Sequence, residues 1–369
     1  MYKTIEELVT RVDERNSDGT VSELIGVSID KCFIKSVANT NGTDLSKYKI
    51  IHKNDFAVSL MQVSRDGKIP VARLEEYEEA IMSPAYPIFR VKDKNIILPE
   101  YLEMWFKRPE FDREAAFIAI GGVRGSMPWE EFAKMKLPVP PIEKQRKIVN
   151  AYKIVTDRIA LKQKINDNLL NSVQAIFRSW FVDYDPFDGV CPSNWETGCV
   201  EDIAEFFDSM RKPLSSLERA DMERIYPYYG AVSIVDYVDD YIFDGEYLLV
   251  SEDGIYVVDE NGHPLIQHIS GKFWANNHAH ILKGKAGFNE DSLYLFLANT
   301  NMAPIVTGAA QPKINQANLK SFPITIPDSE TMLKFNNIIQ PFFDQRLTNE
   351  SEIKKLDALQ SLLLTRLVD

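Results

Sequence analysis

The sequence has few cysteines and no long apolar run, and each absence excludes a class of protein. Its three cysteines, Cys32, Cys191 and Cys199, cannot all pair within one chain, so we expect free thiols in a reducing compartment rather than a disulfide framework. No stretch reaches the length of about eighteen apolar residues that a membrane helix needs, and the N-terminal MYKTIEE lacks an apolar signal core. We therefore predict a cytoplasmic protein without a transmembrane helix.

Positive charge is also scarce. The chain has 42 Lys and Arg residues against 54 Asp and Glu residues, which gives a formal net charge of −12. Taken alone, this balance argues against a nucleic-acid-binding protein, because phosphate contacts favour an excess of Lys and Arg. An acidic chain that binds DNA needs local basic patches or a partner that supplies most of the phosphate contacts. At 369 residues the chain is long enough for two domains with separate cores.

Motifs of stand-alone catalysis are missing as well. The sequence contains no P-loop, no G-x-S-x-G elbow and no credible cluster of paired carboxylates with a lysine. An adenine methyltransferase would need a Gly-rich cofactor loop after a strand and an Asn- or Asp-Pro-Pro-aromatic loop. The nearest string, Asp185-Pro186-Phe187, lacks the second proline. We therefore expect no catalytic residue in this chain.

What the chain does contain is an internal repeat. The motif GGVRGSM at 121–127 is followed by LPVP at 137–140, and GAAQPKI at 308–314 is followed by ITIP at 324–327. Both pairs are offset by 187 residues, from 121 to 308 and from 140 to 327. Weaker matches in the same order run upstream, as in Tyr101-Leu102 against Tyr294-Leu295. A repeat of this size predicts two similar domains that differ in surface.

Each half begins with a short helical signal and continues mostly as strands. Segments 48–52 and 56–63 in the first half, and 226–244 and 247–258 in the second, are rich in β-branched and aromatic residues. Short helices are predicted at 99–107 and 291–299. The predicted fold class is α+β, with two repeated α/β domains, each a curved antiparallel sheet with short helices, separated by two long helices. The predicted boundaries are 1–140, 141–183, 184–327 and 328–369.

The segments at 141–183 and 328–369 show apolar residues at alternating steps of three and four. The polar residues Lys162, Asn166 and Asn349 interrupt the two series at about the same height, which is typical of positions that fix register. We predict that the two helices form an antiparallel coiled coil; the alternative is that each is buried against its own domain. The predicted packing residues are Ile148, Tyr152, Val155, Ile159, Leu169, Val173 and Trp180 in the first helix and Phe335, Ile339, Phe342, Ile353, Leu356 and Leu363 in the second.

These residues resemble the specificity subunit of type I restriction–modification systems, over nearly the whole chain. The resemblance is carried by LPVPPIEKQRKI at 137–148, FRSWFVDYDPF at 177–187, YPYYGAVSIVDY at 226–237, WANNHAHI at 274–281 and TGAAQPKI at 307–314. It implies a non-catalytic subunit whose two target-recognition domains each bind one half of a split duplex-DNA sequence. The helices would set the spacer and dock two methyltransferase subunits, which carry S-adenosylmethionine and methylate adenine. Restriction subunits that use ATP and Mg²⁺ would join this core.

DNA-contacting residues are expected in loops, because base edges need forked or planar donors and phosphates need cations or backbone amides. The two Gly loops, 121–127 and 308–314, are the strongest candidates, although the first lacks the Gln-Pro-Lys of the second. For the other loop residues, solvation of an ordinary surface side chain is an equal alternative. The candidates are Arg65, Lys68, Arg124 and Ser126 in the first half and Arg211, Lys212, Tyr228, Tyr229, Lys272, Asn276, Asn277, Gln311 and Lys313 in the second.

A metal site is not expected. His278 and His280 have strand spacing that places both rings on one face, but no third ligand is close in sequence. The acidic residues Glu252, Asp253, Asp259 and Glu260 lie near Asn261-Gly262; a divalent-ion site there is the alternative to an ordinary solvated turn, which we favour. Three alternatives to a DNA-specificity subunit of a restricting system stay open: a coiled-coil scaffold that binds only proteins, a specificity subunit of a modification-only system, and a stand-alone nuclease or methyltransferase.

Overall fold

A computed structural model describes residues 1–36, 43–61, 63–121, 125–255, 257–308 and 310–368. The chain divides into two compact units. Unit 1 comprises Met1–Lys162 together with the residues from Glu352 onward, and unit 2 comprises Gln163–Ser351. Within the described residues, no helix is both long enough and apolar enough to cross a membrane.

Unit 1 is built from short strands and short helices. Its strands are β1 (Tyr2–Thr4), β2 (Val9–Val12), β3 (Ile25–Val27), β4 (Phe33–Lys35), β5 (Lys49–His52), β6 (Phe56–Val58), β7 (Val71–Arg73), β8 (Glu79–Met82), β9 (Ile88–Val91) and β10 (Lys136–Pro138). Its helices are α1 (Ile5–Leu8), α2 (Val63–Asp66), α3 (Pro99–Phe106), α4 (Pro109–Ile118) and α5 (Trp129–Lys134). The main sheet has the antiparallel order β2-β9-β6-β7, and β1–β10, β3–β4 and β5–β8 form separate pairs.

Five phenylalanines from different elements form the centre of the unit 1 core. Phe56 of β6 stacks on Phe89 of β9 with ring centroids 5.2 Å apart, and Phe106 of α3 lies 5.1 Å from Phe111 of α4. Phe132 of α5 completes the cluster 5.7 Å from Phe89. All five are fully buried. Removal of one such ring costs about 3–5 kcal/mol, so this cluster fixes α3, α4 and α5 on the sheet.

Two long helices follow the small domains in sequence. Helix α6 spans Ile142–Phe181, and helix α11 spans Ser329–Thr365. Between them lie the helices α7 (Val200–Ile203), α8 (Ser216–Ala220), α9 (Glu290–Ala298) and α10 (Gln316–Lys320). The strands of unit 2 are β11 (Glu196–Cys199), β12 (Ala204–Phe206), β13 (Tyr226–Tyr229), β14 (Ile234–Val238), β15 (Phe243–Ser251), β16 (Ile266–Ala275), β17 (Ala279–Gly284) and β18 (Pro323–Ile326).

Unit 2 repeats the sheet of unit 1 and extends it. Its main sheet has the order β12-β17-β15-β16-β13-β14, so the first four strands correspond to β2-β9-β6-β7. Neighbouring strands are antiparallel except β13 and β16, which are parallel. The added strands β13 and β14 therefore distinguish the second copy from the first.

The segments that close each sheet domain repeat as well. Strand β1 pairs with β10 through Lys3 and Leu137, and β11 pairs with β18 through Gly198 and Ile324. The short helices α1 and α7 follow β1 and β11, and each begins with a capping box that satisfies a free backbone N–H group. The predicted α+β class with two repeated domains is confirmed.

Two local predictions were wrong. The segment 56–63 is not one strand: β6 ends at Val58, because the carbonyl group of Leu60 turns away to accept a hydrogen bond from Met127. The division between the predicted strand segments 226–244 and 247–258 is not a break in the structure, because Gly245 lies inside β15 opposite Gly271 of β16. Both glycines have positive φ angles, 120° and 98°, so they bend a continuous strand pair.

The two long helices pair antiparallel, as predicted. In unit 1, Nε2 of Gln360 lies 2.8 Å from Oγ1 of Thr156, and Nζ of Lys162 lies 2.7 Å from Oε2 of Glu352. Earlier residues of α6 thus face later residues of α11, so the two helices run in opposite directions. In unit 2, Nδ2 of Asn349 donates to Oδ1 of Asn166 at 2.8 Å, and this buried amide pair fixes the register at the predicted polar position.

The same helices also complete the cores of the sheet domains, so the two alternative packings coexist. Leu364 of α11 and Leu367, which follows it, belong to the unit 1 core, and Phe181 of α6 contacts Phe296 of α9 in unit 2 with centroids 4.7 Å apart. Of the predicted packing residues, Val155, Ile159, Val173, Phe335 and Ile339 are buried. The others are partly buried, namely Ile148, Tyr152, Leu169, Trp180, Phe342, Ile353, Leu356 and Leu363.

A buried acid and a buried histidine lie together in unit 2. Nδ1 of His268 on β16 is 3.5 Å from Oδ1 of Asp291 on α9. Burial raises the pKa of Asp291 to about 7, with further contributions from nearby carboxylates. Burial also lowers the pKa of His268 to about 4, with a smaller contribution from Arg346. Both groups are therefore neutral in the folded protein between these two values.

Replacing one member of this pair should give stability a pH dependence that the wild type lacks. The raised pKa of Asp291 contributes stability at low pH that is lost as pH rises towards about 7. The lowered pKa of His268 costs stability as pH falls from 6.5 towards about 4, so the two effects largely offset each other. We predict that from about pH 5 to about pH 8 the free energy of unfolding rises by roughly 2 kcal/mol in Asp291→Asn and falls by roughly 3 kcal/mol in His268→Gln.

Urea unfolding at the two pH values measures these slopes. The matched control is Asp221→Asn, which removes an exposed carboxylate of the same unit and should keep the wild-type dependence. Equal slopes in Asp291→Asn and His268→Gln would contradict the opposite pKa shifts of the pair.

Candidate nucleic-acid interface

The two Gly loops are docked in the same way in the two units. The backbone N–H group of Met127 donates to the carbonyl oxygen of Leu60 at 2.8 Å, and that of Ile314 donates to the carbonyl oxygen of Glu252 at 2.9 Å. Leu60 follows β6 and Glu252 follows β15, which are corresponding strands of the two sheets. The repeat therefore places Met127 and Ile314, the last residues of the two Gly loops, beside the same end of corresponding strands.

In unit 1, helix α2 supports the base of the first Gly loop. Gly125 has a φ angle of +72°, and a Cβ atom there would lie 2.5 Å from Oγ of Ser64, so a side chain would force this contact apart. Arg65, the next residue of α2, is exposed, and its Nε lies 2.8 Å from Oδ1 of Asp66. Lys68 is exposed as well. Ser126 is partly exposed at the loop base, and Arg124 lies outside the described residues.

In unit 2, the second Gly loop is a tight hairpin. The backbone groups of Thr307 and Lys313 exchange two hydrogen bonds of 2.8 Å each and close the stem. Gly308 has a φ angle of +87°, and a Cβ atom there would lie 2.4 Å from the carbonyl oxygen of Gln311. The stem therefore requires glycine at this position, and it leaves Gln311 exposed at the tip.

A network of buried charges lies beneath this hairpin. Glu252 accepts hydrogen bonds from Nη1 of Arg211 at 2.6 Å and pairs with Nζ of Lys313 at 2.8 Å. The ring of His280 is fully buried, with Nδ1 2.6 Å from Oδ2 of Asp208 and Nε2 2.8 Å from the carbonyl oxygen of Ile314. Both ring nitrogens therefore lie within hydrogen-bond distance of an oxygen atom.

The cations of the network keep its two carboxylates ionised. Burial alone would raise the pKa of Asp208, but the hydrogen bond from His280 and the charges of His280 and Arg211 lower it below its ordinary value. Burial opposes ionisation of Glu252 in the same way, and hydrogen bonds from Lys313 and Arg211 lower its pKa. The network thus acts as a set of internal ion pairs.

Three of these groups have the chemistry of metal ligands. One ligand atom each from Asp208, Glu252 and His280 lies within 4.8 Å of the others. The residues do not fit a cation, however, because Arg211 and Lys313 already neutralise the carboxylates and both nitrogens of His280 are engaged. The sequence did not reveal these partners of His280, since Asp208 lies 72 positions away.

Three predicted DNA contacts are occupied within the protein. Arg211 is largely buried, because Nη1 also donates to the carbonyl oxygen of Ala279 at 2.7 Å. Tyr228 is buried, and its hydroxyl accepts a hydrogen bond from the backbone N–H of Leu214 at 2.9 Å. Asn276 is buried, and its Oδ1 accepts from the backbone N–H of His278 at 2.9 Å. These side chains hold loops in place and do not face solvent.

The remaining candidates in unit 2 lie at or near the surface. Tyr229 is partly buried against Phe273, with ring centroids 5.6 Å apart. The ammonium group of Lys272 lies 4.3 Å from the centre of the Tyr241 ring, where a cation–π contact holds it. The exposed candidates of unit 2 are Lys212, Lys272, Asn277 and Gln311.

Comparison with known proteins identifies the family. The model of the type I restriction modification DNA specificity domain matches residues 20–171 and again residues 192–359. A putative type I restriction enzyme specificity subunit of Haemophilus influenzae is 39% identical over 128 residues, which are 35% of this chain and 32% of that protein. The type I restriction enzyme MjaIX specificity subunit of Methanocaldococcus jannaschii is 23% identical over 300 residues, 74% of this chain and 69% of that protein.

A solved structure shares the fold. The crystal structure of the S subunit of a type I restriction–modification system from M. genitalium superposes with a TM-score of 0.59 at 14% identity, over 100% of this chain and 96% of that one. The match to the Haemophilus relative spans about a third of that protein, which leaves the activity of the whole relative a matter for proposal. Because the family model covers both halves of the repeat, the chain belongs to the type I restriction–modification DNA specificity domain family.

Proposed function

We propose that the chain is the DNA-specificity subunit of a type I restriction–modification complex and that each unit binds one half of a bipartite duplex target. The observation that carries this proposal is the repeated docking of the Gly loops by Met127 and Ile314, in a chain whose two halves both match the specificity-domain family. Two similar loops beside the same strand end in each unit suit a target with two half-sites. The chain itself contributes no catalytic group in this proposal.

Direct base contacts would come from a few exposed side chains. Gln311 stands at the tip of the second hairpin, and a side-chain amide can pair with the N6 and N7 edge of adenine. Arg65 and Lys68 lie near the base of the first Gly loop and can bind a guanine edge or a phosphate. Most phosphate contacts would come from partner subunits, which is consistent with the net charge of −12.

The long helices would set the spacer and dock two methyltransferase subunits. In unit 1, Ile154 and Leu161 lie seven residues apart on α6 and are 68% and 58% exposed. Large apolar side chains exposed at heptad spacing are suited to packing against a partner helix. The methyltransferase subunits would bring S-adenosylmethionine, and restriction subunits using ATP and Mg²⁺ would join for cleavage, in the cytoplasm.

The half-site assignment predicts an asymmetric effect of Gln311→Ala. The substitution removes an amide from the hairpin of unit 2 and leaves unit 1 unchanged. A bidentate base contact is worth about 1–3 kcal/mol, so the complex should lose discrimination at one or two base pairs of one half-site. Modified-base sequencing of DNA from cells that express the chain with its methyltransferase subunit measures both half-sites at once.

The matched control is Gln163→Ala, which removes an exposed amide from helix α6. It should leave the methylated motif unchanged. Equal relaxation of both half-sites by Gln311→Ala would contradict the assignment of one unit to each half-site.

The spacer proposal predicts the effect of lengthening both helices. Seven residues inserted after Lys162 in α6 and seven before Glu352 in α11 add two helical turns to each and keep the facing sides in register. At about 1.5 Å per residue and about 3.4 Å per base pair, the non-specific gap should grow by roughly three base pairs. The methylated motif gives the gap directly.

Insertion into α6 alone serves as the control, because it breaks the antiparallel register and should abolish methylation. Full activity with an unchanged gap in the double insertion would exclude the helices as the element that sets the spacing.

A further inference from the structure

We infer that the network of Asp208, Arg211, Glu252 and His280 positions the second Gly loop for DNA recognition, and that Lys313 acts through this network instead of binding phosphate. The inference rests on the proposed function and assigns roles to residues of unit 2, which would bind one of the two half-sites. In the sequence, Arg211 and Lys313 resemble exposed cations that could bind DNA. In this inference, both side chains support the loop.

The segment that leaves the hairpin is held through both backbone polar groups of one residue, Ile314. The N–H group of Ile314 donates to the carbonyl oxygen of Glu252 at 2.9 Å, and the carbonyl oxygen of Ile314 accepts from Nε2 of His280 at 2.8 Å. Glu252 continues from strand β15, and His280 lies on β17. The base of the hairpin is therefore tied to two neighbouring strands of the sheet.

Ion pairs between charged side chains link Glu252 and His280, the two residues that hold the backbone of Ile314. The carboxylate of Glu252 lies 2.8 Å from Nζ of Lys313 and 2.6 Å from Nη1 of Arg211. Arg211 also lies 3.3 Å from Asp208, and Asp208 in turn accepts from Nε2 of Gln316 at 2.8 Å. Because Asp208, Arg211 and Glu252 are largely buried, loss of one partner leaves another of these charges unpaired, and a buried unpaired charge is costly.

Unit 1 carries different residues at the corresponding positions. The acceptor for the first Gly loop is Leu60, whose partly buried side chain packs against the apolar core, where unit 2 has Glu252. Ser126 stands where the second copy has Lys313, at the repeat offset of 187 residues. The two loops thus share a backbone hydrogen bond and differ in the side chains that support it. Loss of the charged support should affect only one half-site.

The test measures DNA binding by the chain assembled with its methyltransferase subunits, on a duplex that carries both mapped half-sites. Glu252→Gln keeps the shape and the backbone carbonyl of residue 252 and removes the charge that Arg211 and Lys313 need. We expect about tenfold weaker binding from Glu252→Gln, and no more than about a twofold further loss when Lys313→Gln is added. A base change in the first half-site should weaken binding by the variant as much as by the wild type.

The salt dependence separates positioning from phosphate contact. If Lys313 acts through Glu252, Lys313→Gln leaves the slope of log Kd against log salt concentration unchanged, whereas loss of one phosphate contact lowers that slope by about 0.9. The matched control, Lys334→Gln, removes an exposed lysine that pairs with Glu330 on α11, and it should change neither affinity nor slope.

Three results would overturn the inference: independent, multiplicative losses from Glu252→Gln and Lys313→Gln, a slope change of about 0.9 for Lys313→Gln, or wild-type affinity in Glu252→Gln. If Glu252→Gln does not fold, the slope for Lys313→Gln decides alone, since that side chain is 44% exposed. Failure of the wild-type assembly to distinguish the mapped duplex from a scrambled one would instead contradict the proposed function.

Discussion

Each compact unit is completed by segments of the two long helices, and this constraint determines much of the architecture. Leu364 of α11 and Leu367, just after its end, belong to the core of unit 1, whereas Val173 and Phe177 of α6 belong to the core of unit 2. Unit 1 therefore combines two separate stretches of sequence, whereas unit 2 is one continuous stretch. The apolar faces of the long helices serve the helix pair and the sheet domains at once, so a change of helix register disturbs both. The buried amide of Asn349 is consistent with this need for one register.

Several cations of the chain are engaged in internal ion pairs. Arg73 pairs with Glu103 and Arg90 with Asp55 in unit 1, and in unit 2 Arg211 and Lys313 both bind Glu252. Cations engaged in this way hold loops and strands in position. With a formal net charge of −12, a DNA-binding role for this chain would be helped by partners that contribute positive surface.

The parts of the fold that depend on local pattern could be predicted from the sequence. The repeat offset of 187 residues located both Gly loops, and the heptad series gave the long helices and their antiparallel pairing. The candidate site was harder to predict, because Asp208, Glu252 and His280 are brought together only by the sheet. Arg211 and Tyr228 resemble surface residues in sequence, and tertiary contacts bury them. Strand β6 is shorter than its β-branched and aromatic composition suggests, because its backbone turns to bind the first Gly loop.

The central claim is that one chain specifies two separated half-sites. Modified-base sequencing of DNA from cells that express the chain with its methyltransferase subunit tests it most directly. The account predicts methyladenine at a motif of two short specific sequences separated by a gap of fixed length. Methylation at a single continuous motif, or no methylation while both proteins are soluble and associated, would contradict it.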